Sequence, residues 1–187
     1  MAIKSPQKRN HPRKDKLAEL RSALENHPFF HALSAAHMDV LTSCARQTRF
    51  PGNTMILHQG DAADRFFLIE EGCVALEADR HRQGAIRIQT LGAGDALGWS
   101  WLFPPHYCHF SARTVEPTDA IIFDAIQLRA RFNQVPDLGN VLVKRMAQVV
   151  VKRLEATQTQ LVEISQIALR AQLQALQLTM SADSASL

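Results

Sequence analysis

The sequence is short of cysteine and lacks any long hydrophobic run, and each shortage argues against a class of protein. Its three cysteines, Cys44, Cys73 and Cys108, are odd in number and widely spaced, which fits neither a disulfide framework nor a paired-cysteine zinc site. No apolar run approaches about 18 residues, so we expect no transmembrane helix and no membrane insertion. The N-terminus has no apolar core of the kind a secretory signal carries, so we expect a cytoplasmic protein.

Basic charge is concentrated at one end of the chain. The 187 residues carry a net charge of +3. Residues 1–16 hold six Lys or Arg and one Asp, a net charge of +5, which leaves −2 for the remainder. We interpret residues 1–16 as a basic disordered tail. The nearly neutral remainder is not typical of a DNA-binding face, so DNA is not an expected partner.

Signature motifs of enzymes are also missing. The sequence has no P-loop, no GxSxG and no HExxH, so we expect no enzymatic activity. His106, Cys108 and His109 offer three nitrogen and sulfur donors, but a short proline-flanked loop makes simultaneous ligation awkward. We therefore expect no metal site.

Glycine is abundant only in the middle of the chain, where it separates short strand-like runs. Seven of the eight glycines lie between residues 52 and 98. Between and after them, six segments have the apolar content or alternation of strands. These are 54–57, 65–69, 73–77, 86–89, 109–116 and 119–124. We predict that residues 48–124 form an antiparallel sandwich or barrel of about eight strands.

Helical patterns flank this region on both sides. We predict helices at 16–25, at 34–45 with Ser34 as N-cap, at 126–133, and from Pro136 to Thr179. The predicted domains are therefore 17–135, a β-roll with flanking helices, and 136–180, a long C-terminal helix. In the long helix an apolar seam recurs at alternating steps of three and four residues. This pattern favours a coiled-coil-like dimer, and a helix folded back on its own domain is the alternative. The seam, as we call it throughout, comprises Ala147, Val150, Leu154, Thr157, Leu161, Ile164, Ala168, Ala171, Ala175 and Leu178, and its expected central contacts are Val150, Leu154, Thr157, Leu161 and Ile164.

Three motifs in the glycine-rich region carry a family resemblance. They are FPGNTMILHQGD at 50–61, FFLIEEG at 66–72 and LGAGDALG at 91–98. With the order of elements, they make residues 28–165 similar to the cyclic nucleotide-binding domain, and most similar to the effector half of Crp/Fnr-type bacterial regulators. The resemblance implies an α+β fold that is mainly β, a double-stranded β-helix or jelly roll flanked by helices, with a long C-terminal dimerisation helix. Only about twenty residues follow Ile164, so we expect no helix-turn-helix.

The chain departs from the family at the two charged ligand anchors. Members that bind cyclic AMP place a Glu after the last glycine of the phosphate-binding cassette, where it holds the ribose, and an Arg before a pair of small residues, where it pairs with the phosphate. Here Trp99 follows Gly98, and Phe110 precedes Ser111 and Ala112. Burial of the phosphate charge without a cation costs several kcal/mol, so other groups must compensate.

Several residues near the cassette offer that compensation. A short helix at about 98–103 would present backbone N–H groups, Ser111 matches the family's phosphate-contacting hydroxyl, and His109 and Arg113 lie close in sequence. Thr157 matches a threonine of the family's C-terminal helix that contacts the base, which favours a purine-like ligand. The predicted ligand-binding set is Gly98, Trp99, Ser100, Trp101, His109, Phe110, Ser111, Ala112, Arg113 and Thr157.

The sequence leaves three outcomes open for this pocket. It binds a cyclic nucleotide (cyclic AMP or cyclic GMP) unconventionally, it binds another flat or apolar ligand, or aromatic side chains fill it. We expect a sensor module that couples ligand in the roll to the dimerisation helix and to a partner protein. The alternative is a ligand-free adaptor that acts through helix–helix contacts.

Overall fold

Eight strands between Ala45 and Asp124 form two antiparallel four-stranded sheets in the computed structural model, which describes residues 12–79 and 84–184. One sheet has the strand order β1-β8-β3-β6 and the other β2-β7-β4-β5. The predicted jelly-roll fold of about eight strands is confirmed. The strands are β1 Ala45–Phe50, β2 Met55–Leu57, β3 Arg65–Glu71, β4 Val74–Asp79, β5 Ala85–Leu91, β6 Ala96–Leu97, β7 Ser111–Thr114 and β8 Thr118–Asp124.

Within the described residues, four α-helices flank the strands: α1 Pro12–Asn26, α2 Ala35–Ser43, α3 Ala125–Phe132 and α4 Pro136–Ser184. Ser34 caps α2 as predicted, because its hydroxyl accepts the His37 amide N–H at 3.2 Å. Asp124 does the same for α3, where its carboxylate accepts the Gln127 amide N–H at 2.9 Å. That bond holds the pKa of Asp124 below its usual value, because it favours the charged carboxylate.

Two predicted boundaries are corrected. Helix α2 ends at Ser43 rather than at 45, because Ala45 already pairs with Phe123 in the antiparallel ladder of β1 and β8. Helix α1 begins at Pro12, so residues 12–16 are helical rather than part of the predicted disordered tail. Proline suits the first turn of a helix, since its fixed φ is helical and no N–H is lost there. Residues 1–11 of that tail lie outside the described residues.

The core is formed by aromatic and aliphatic side chains of β3, β8 and the segments that cover them. Phe66 of β3 and Phe123 of β8 stack with centroids 4.3 Å apart and planes within 8° of parallel. Phe30 packs edge-on against Phe123 at 5.5 Å. All three side chains are fully buried. Burial of a large aromatic side chain is worth several kcal/mol, so this cluster fixes the sheet on which the cassette rests.

The chain divides into two units, of which the first ends at Arg145 and the second begins at Met146. The start of α4 therefore belongs to the first unit, beyond the boundary of 135 that we predicted. Leu138 and Leu142 explain the difference, since both are fully buried. Arg145 adds polar contacts by donating to the backbone carbonyls of Phe29 and His31.

The second unit is the remainder of α4. Val150 of the seam is half-buried, whereas Leu154, Leu161 and Ile164 are exposed in the single chain. Thr157 is exposed as well, and its hydroxyl donates to the Arg153 carbonyl one turn earlier at 2.9 Å. The Leu178 side chain lies outside the described residues. In the described ranges, no helix combines the length and apolar character that crossing a membrane requires.

Candidate functional site

The cassette turns sharply at Gly98, between β6 and the segment that follows. Gly98 has φ +91°, and a Cβ at this position would lie 3.1 Å from the Arg65 carbonyl oxygen. Glycine therefore lets the chain pass close to β3. A single 3₁₀ turn, Trp99–Leu102, follows in place of the short helix predicted at 98–103. It stops because Phe103 precedes Pro104, and a residue before proline favours an extended backbone.

The two tryptophans of this turn have different places. Trp101 is fully buried and stacks on Phe66 with centroids 5.1 Å apart, and Phe132 lies against it at 5.9 Å. Arg129 of α3 donates to the Trp101 carbonyl. These contacts place the Trp101 indole in the core of the domain, whereas Trp99 is only half-buried. A role in ligand contact therefore fits Trp99 better than Trp101.

His109 joins the turn to the loop before β7. The centroids of the Trp99 and His109 rings lie 4.8 Å apart, and those of the Trp99 and Phe103 rings lie 6.3 Å apart. His109 Nδ1 lies 3.0 Å from the Tyr107 carbonyl oxygen and 3.2 Å from the buried Ser100 hydroxyl. In the tautomer with the proton on Nδ1, the ring donates to that carbonyl and Nε2 is an acceptor. The structure thus brings together Trp99, Ser100 and His109 of the predicted ligand-binding set.

Backbone bonds fix the loop that leads to His109. Tyr107 forms a β-bridge with Ala62, and the Cys108 amide donates to the Asp61 carbonyl at 2.8 Å. Cys108 itself is buried, which raises the pKa of its thiol, and nearby Asp61 adds to the effect. Within the described ranges, no group of three or more His, Cys, Asp or Glu side chains is placed to hold a metal ion.

Strand β7 carries the polar side chains that the sequence singled out. Ser111 and Arg113 share one face, because side chains two residues apart in a strand point the same way. The alternate residue, Ala112, is fully buried, and Phe110 just before the strand is half-buried. The Ser111 hydroxyl accepts the Gln59 amide N–H at 3.0 Å. It therefore keeps its own proton to donate elsewhere.

Arg113 faces an acidic partner that sequence reasoning missed. Its Nε lies 3.4 Å from a carboxylate oxygen of Glu77 on β4, and its Nη1 lies 3.5 Å from the Asn53 side-chain oxygen. The Glu77 side chain is largely buried, whereas Arg113 keeps about a third of its surface exposed. Only the cross-strand register, which pairs Glu77 with Ser111 and Ala75 with Arg113, reveals this contact. Thr157 belongs to the second unit, and its role toward a base stays a prediction.

Comparisons with known proteins agree with this architecture. Residues 47–134 match the family model of the cyclic nucleotide-binding domain. A cyclic nucleotide-binding protein from Geobacter metallireducens GS-15 is similar with a TM-score of 0.63 and 25% identity over 73% of this chain and 96% of its own. A cyclic nucleotide-binding domain from Methylobacillus flagellatus KT is similar with a TM-score of 0.66 and 22% identity. The match covers 80% of this chain and 84% of its own.

A third similar structure comes from a eukaryote. The regulatory subunit of a cAMP-independent protein kinase A from Trypanosoma brucei has a TM-score of 0.61 and 19% identity over 79% of this chain and 52% of its own. No curated protein matches the sequence. The cassette geometry and the two four-stranded sheets agree with the match of residues 47–134 to the cyclic nucleotide-binding domain family.

Proposed function

We propose that this chain is a non-enzymatic, cytoplasmic sensor whose β-roll binds a cyclic nucleotide, cyclic AMP or cyclic GMP, through an unconventional set of contacts. The family match over 47–134 supports the class of ligand. The observation that carries the proposal is the Ser111–Arg113 pair on one face of β7. This pair supplies a hydroxyl donor and a guanidinium within three residues of Phe110, which stands where the family's arginine is expected.

The charge balance explains how an anion would be accepted. A cyclic phosphate carries one negative charge, and a guanidinium suits it because it can donate two parallel hydrogen bonds. Arg113 already has Glu77 as a partner, but the contact of 3.4 Å is long for a charge-assisted hydrogen bond. Ligand binding would draw Arg113 from Glu77 toward the phosphate, with the Ser111 hydroxyl as a second donor.

The aromatic pair Trp99–His109 supports recognition of the rest of the ligand. Its rings are half-buried or exposed, so they retain surface against which a flat purine can pack. In the tautomer with the proton on Nδ1, Nε2 of His109 would accept a hydrogen bond from a ribose hydroxyl in place of the missing glutamate. In this site, aromatic contact and a hydrogen bond to His109 would therefore replace the charged glutamate of the family.

We propose that ligand binding changes the arrangement of an α4 dimer. Leu154, Leu161 and Ile164 are exposed in the single chain, and a second copy packed along the seam would cover them. Ligand that favours one of two arrangements of the roll would shift this dimer and change the surface it offers to a partner protein.

An adaptor without ligand is the second candidate function. Trp99 and Phe110 favour it, because bulky rings at both anchor positions remove the charges that hold a cyclic nucleotide. The Trypanosoma brucei protein, described as cAMP-independent, has a similar fold. In an adaptor the seam of α4 would be the functional surface.

A fluorescence titration of the purified full chain distinguishes the sensor from the adaptor. Trp99 is half-buried and Trp101 is fully buried, so a ligand in the cassette is expected to change chiefly the Trp99 emission. Saturable change with cyclic AMP or cyclic GMP that disappears in Trp99→Phe, while calorimetry still detects binding to that variant, supports the sensor. A folded chain that gives no response up to about millimolar nucleotide favours the adaptor.

The proposed dimer has its own test. Leu154→Glu places a charge in the seam, whereas Gln148→Glu places one at an exposed position on the side of α4 that faces away from the seam. Light scattering is expected to show a lower mass for Leu154→Glu than for Gln148→Glu. Equal masses would contradict the seam dimer.

A further inference from the structure

Helix α4 carries a second apolar stripe that the seam does not include. Val162, Leu169 and Leu173 have 56%, 57% and 52% of their surface exposed, and Gln166 lies between them. With 3.6 residues per turn, the stripe is centred about 150° around the helix from the local seam residues 161, 164, 168 and 171. A dimer along the seam would leave this stripe, 162–166–169–173, in water.

The second stripe contains a hollow with the geometry of a coiled-coil hole. Leu161, Val162, Ser165, Gln166 and Leu169 line a hollow of about 330 Å³. Residues 162, 165, 166 and 169 have the spacing i, i+3, i+4 and i+7, which forms the four-residue hole that receives a knob from a facing helix. The Ser165 hydroxyl folds back to the Leu161 carbonyl at 2.8 Å, so the floor of the hollow is small and its polar group is satisfied.

Charge identifies the orientation of the facing helix. Glu163 and Arg170 are the only charged residues between 161 and 180, and both lie along the same edge of the second stripe. In an antiparallel pair with its two-fold axis near Gln166 and Ile167, Glu163 of each copy lies opposite Arg170 of the other. A parallel pair would place neither charge opposite its complement. The stripe is therefore complementary to itself in the antiparallel orientation.

We propose that the second stripe of α4 binds antiparallel to the same stripe of another copy of this chain. Leu169 of one copy enters the hole 162–165–166–169 of the other, and two Glu163–Arg170 ion pairs flank the contact. The contact does not depend on a ligand. Combined with the seam dimer, which is part of the proposed function, the contact joins two dimers into a tetramer. One second stripe on each side of that tetramer stays free to bind further dimers.

Cross-linking tests this contact directly. Gln166 lies near the proposed two-fold axis but points away from the partner in a parallel seam dimer, so Gln166→Cys is expected to form an interchain disulfide under mild oxidation. The wild-type full chain, with Cys44, Cys73 and Cys108, is the control under the same conditions. Absence of additional cross-linking in Gln166→Cys would overturn the contact.

Charge reversal tests the orientation by sedimentation of the full chain. Either Glu163→Arg or Arg170→Glu places like charges opposite each other, so each is expected to weaken association by roughly tenfold or more at low salt. The double variant restores opposite charges and is expected to restore association. Singles that associate like wild type, or a double variant no better than the singles, would overturn the antiparallel contact.

Leu154→Glu separates this contact from the seam. If both interfaces form, wild type is a tetramer or a larger assembly, and Leu154→Glu is a dimer. That dimer still forms the interchain disulfide when the chain also carries Gln166→Cys. If only the seam fails, wild type itself is such a dimer and Leu154→Glu changes nothing. A Leu154→Glu chain that is monomeric at all concentrations would overturn the antiparallel contact.

Discussion

The Trp99 indole lies against the His109 imidazole, with ring centroids 4.8 Å apart and planes tilted by 48°. This contact links the residue after the last cassette glycine to the loop that enters β7. Because Trp99 stands where the family resemblance places the ribose-binding Glu, the chain has aromatic surface at this position. Positive charge for a phosphate is left to Arg113, which Glu77 holds from the neighbouring strand.

Release of Arg113 from Glu77 should strengthen binding of an anionic ligand. Glu77→Gln removes the carboxylate that competes with a phosphate, so we predict several-fold tighter binding of cyclic AMP or cyclic GMP by calorimetry. Glu70→Gln is the matched control, because Glu70 pairs with Gln47 on β1 and not with Arg113. Unchanged affinity in Glu77→Gln would argue that Arg113 does not contact the ligand.

The two tryptophans should differ in their contribution to stability. Trp101→Ala leaves a cavity beside Phe66 and Phe132, and we predict a loss of about 3–5 kcal/mol in the free energy of unfolding. Trp99→Ala removes a half-buried ring and is expected to cost about 1 kcal/mol. Urea denaturation measures both values. Equal losses would contradict the division between a core tryptophan and a site tryptophan.

Gly72 should tolerate substitution less well than Gly60, although both have positive φ. A Cβ on Gly72 would lie 2.6 Å from the Pro117 carbonyl oxygen and 2.7 Å from the Thr118 hydroxyl, whereas nothing lies within 4 Å of one on Gly60. Gly60→Ala therefore carries only the backbone cost of about 1–2 kcal/mol. Gly72→Ala adds a steric clash with backbone, and we predict a loss of about 4 kcal/mol or more. Thermal unfolding of the pair checks the difference, and similar melting temperatures would refute it.

Acidification should destabilise the domain through His27. This side chain is buried, and its Nδ1 accepts the Phe29 amide N–H at 3.1 Å, which requires the neutral ring. Burial lowers the pKa of His27 below its ordinary value of 6.5. Between that value and the lower folded pKa, the unfolded chain binds more protons, so stability falls as the pH drops through this window and is fully present above it.

The variant His27→Asn isolates this effect. Asparagine retains an acceptor for the Phe29 amide but does not titrate. We predict that the free energy of unfolding changes less between pH 7 and pH 5 in His27→Asn than in wild type. An identical pH slope in the two proteins would assign the dependence to other groups.

Local chemistry explains which parts of the fold could be predicted from the sequence. The Ser34 cap and the glycine-separated strands were predicted because hydroxyl capping and turn formation depend on neighbours in the chain. The end of α2 at Ser43 could not be predicted from the sequence, because it depends on the pairing of Ala45 with Phe123, which is distant in the sequence. The same holds for Leu138 and Leu142, whose burial places the start of α4 in the first unit.

In the candidate site, too, the sequence predicted local features but not contacts between distant segments. The sequence identified Trp99, His109 and Ser111 through their position in the cassette, and the structure brings Trp99 and His109 into contact. It did not distinguish Trp101 from Trp99, because both are aromatic and only the packing against Phe66 separates them. Glu77 was missed because its relation to Arg113 exists only across two strands of the sheet.

A calorimetric titration of cyclic AMP and cyclic GMP into the full chain, beside the Trp99→Glu/Phe110→Arg variant, tests the central claim most directly. The variant restores both charged anchors of the family and is expected to bind at least about tenfold more tightly, since a charge-assisted hydrogen bond contributes about 1.5–3 kcal/mol. The sensor account predicts saturable heat from wild type as well, through Ser111 and Arg113. A variant that binds while folded wild type gives no heat up to about millimolar nucleotide would contradict it.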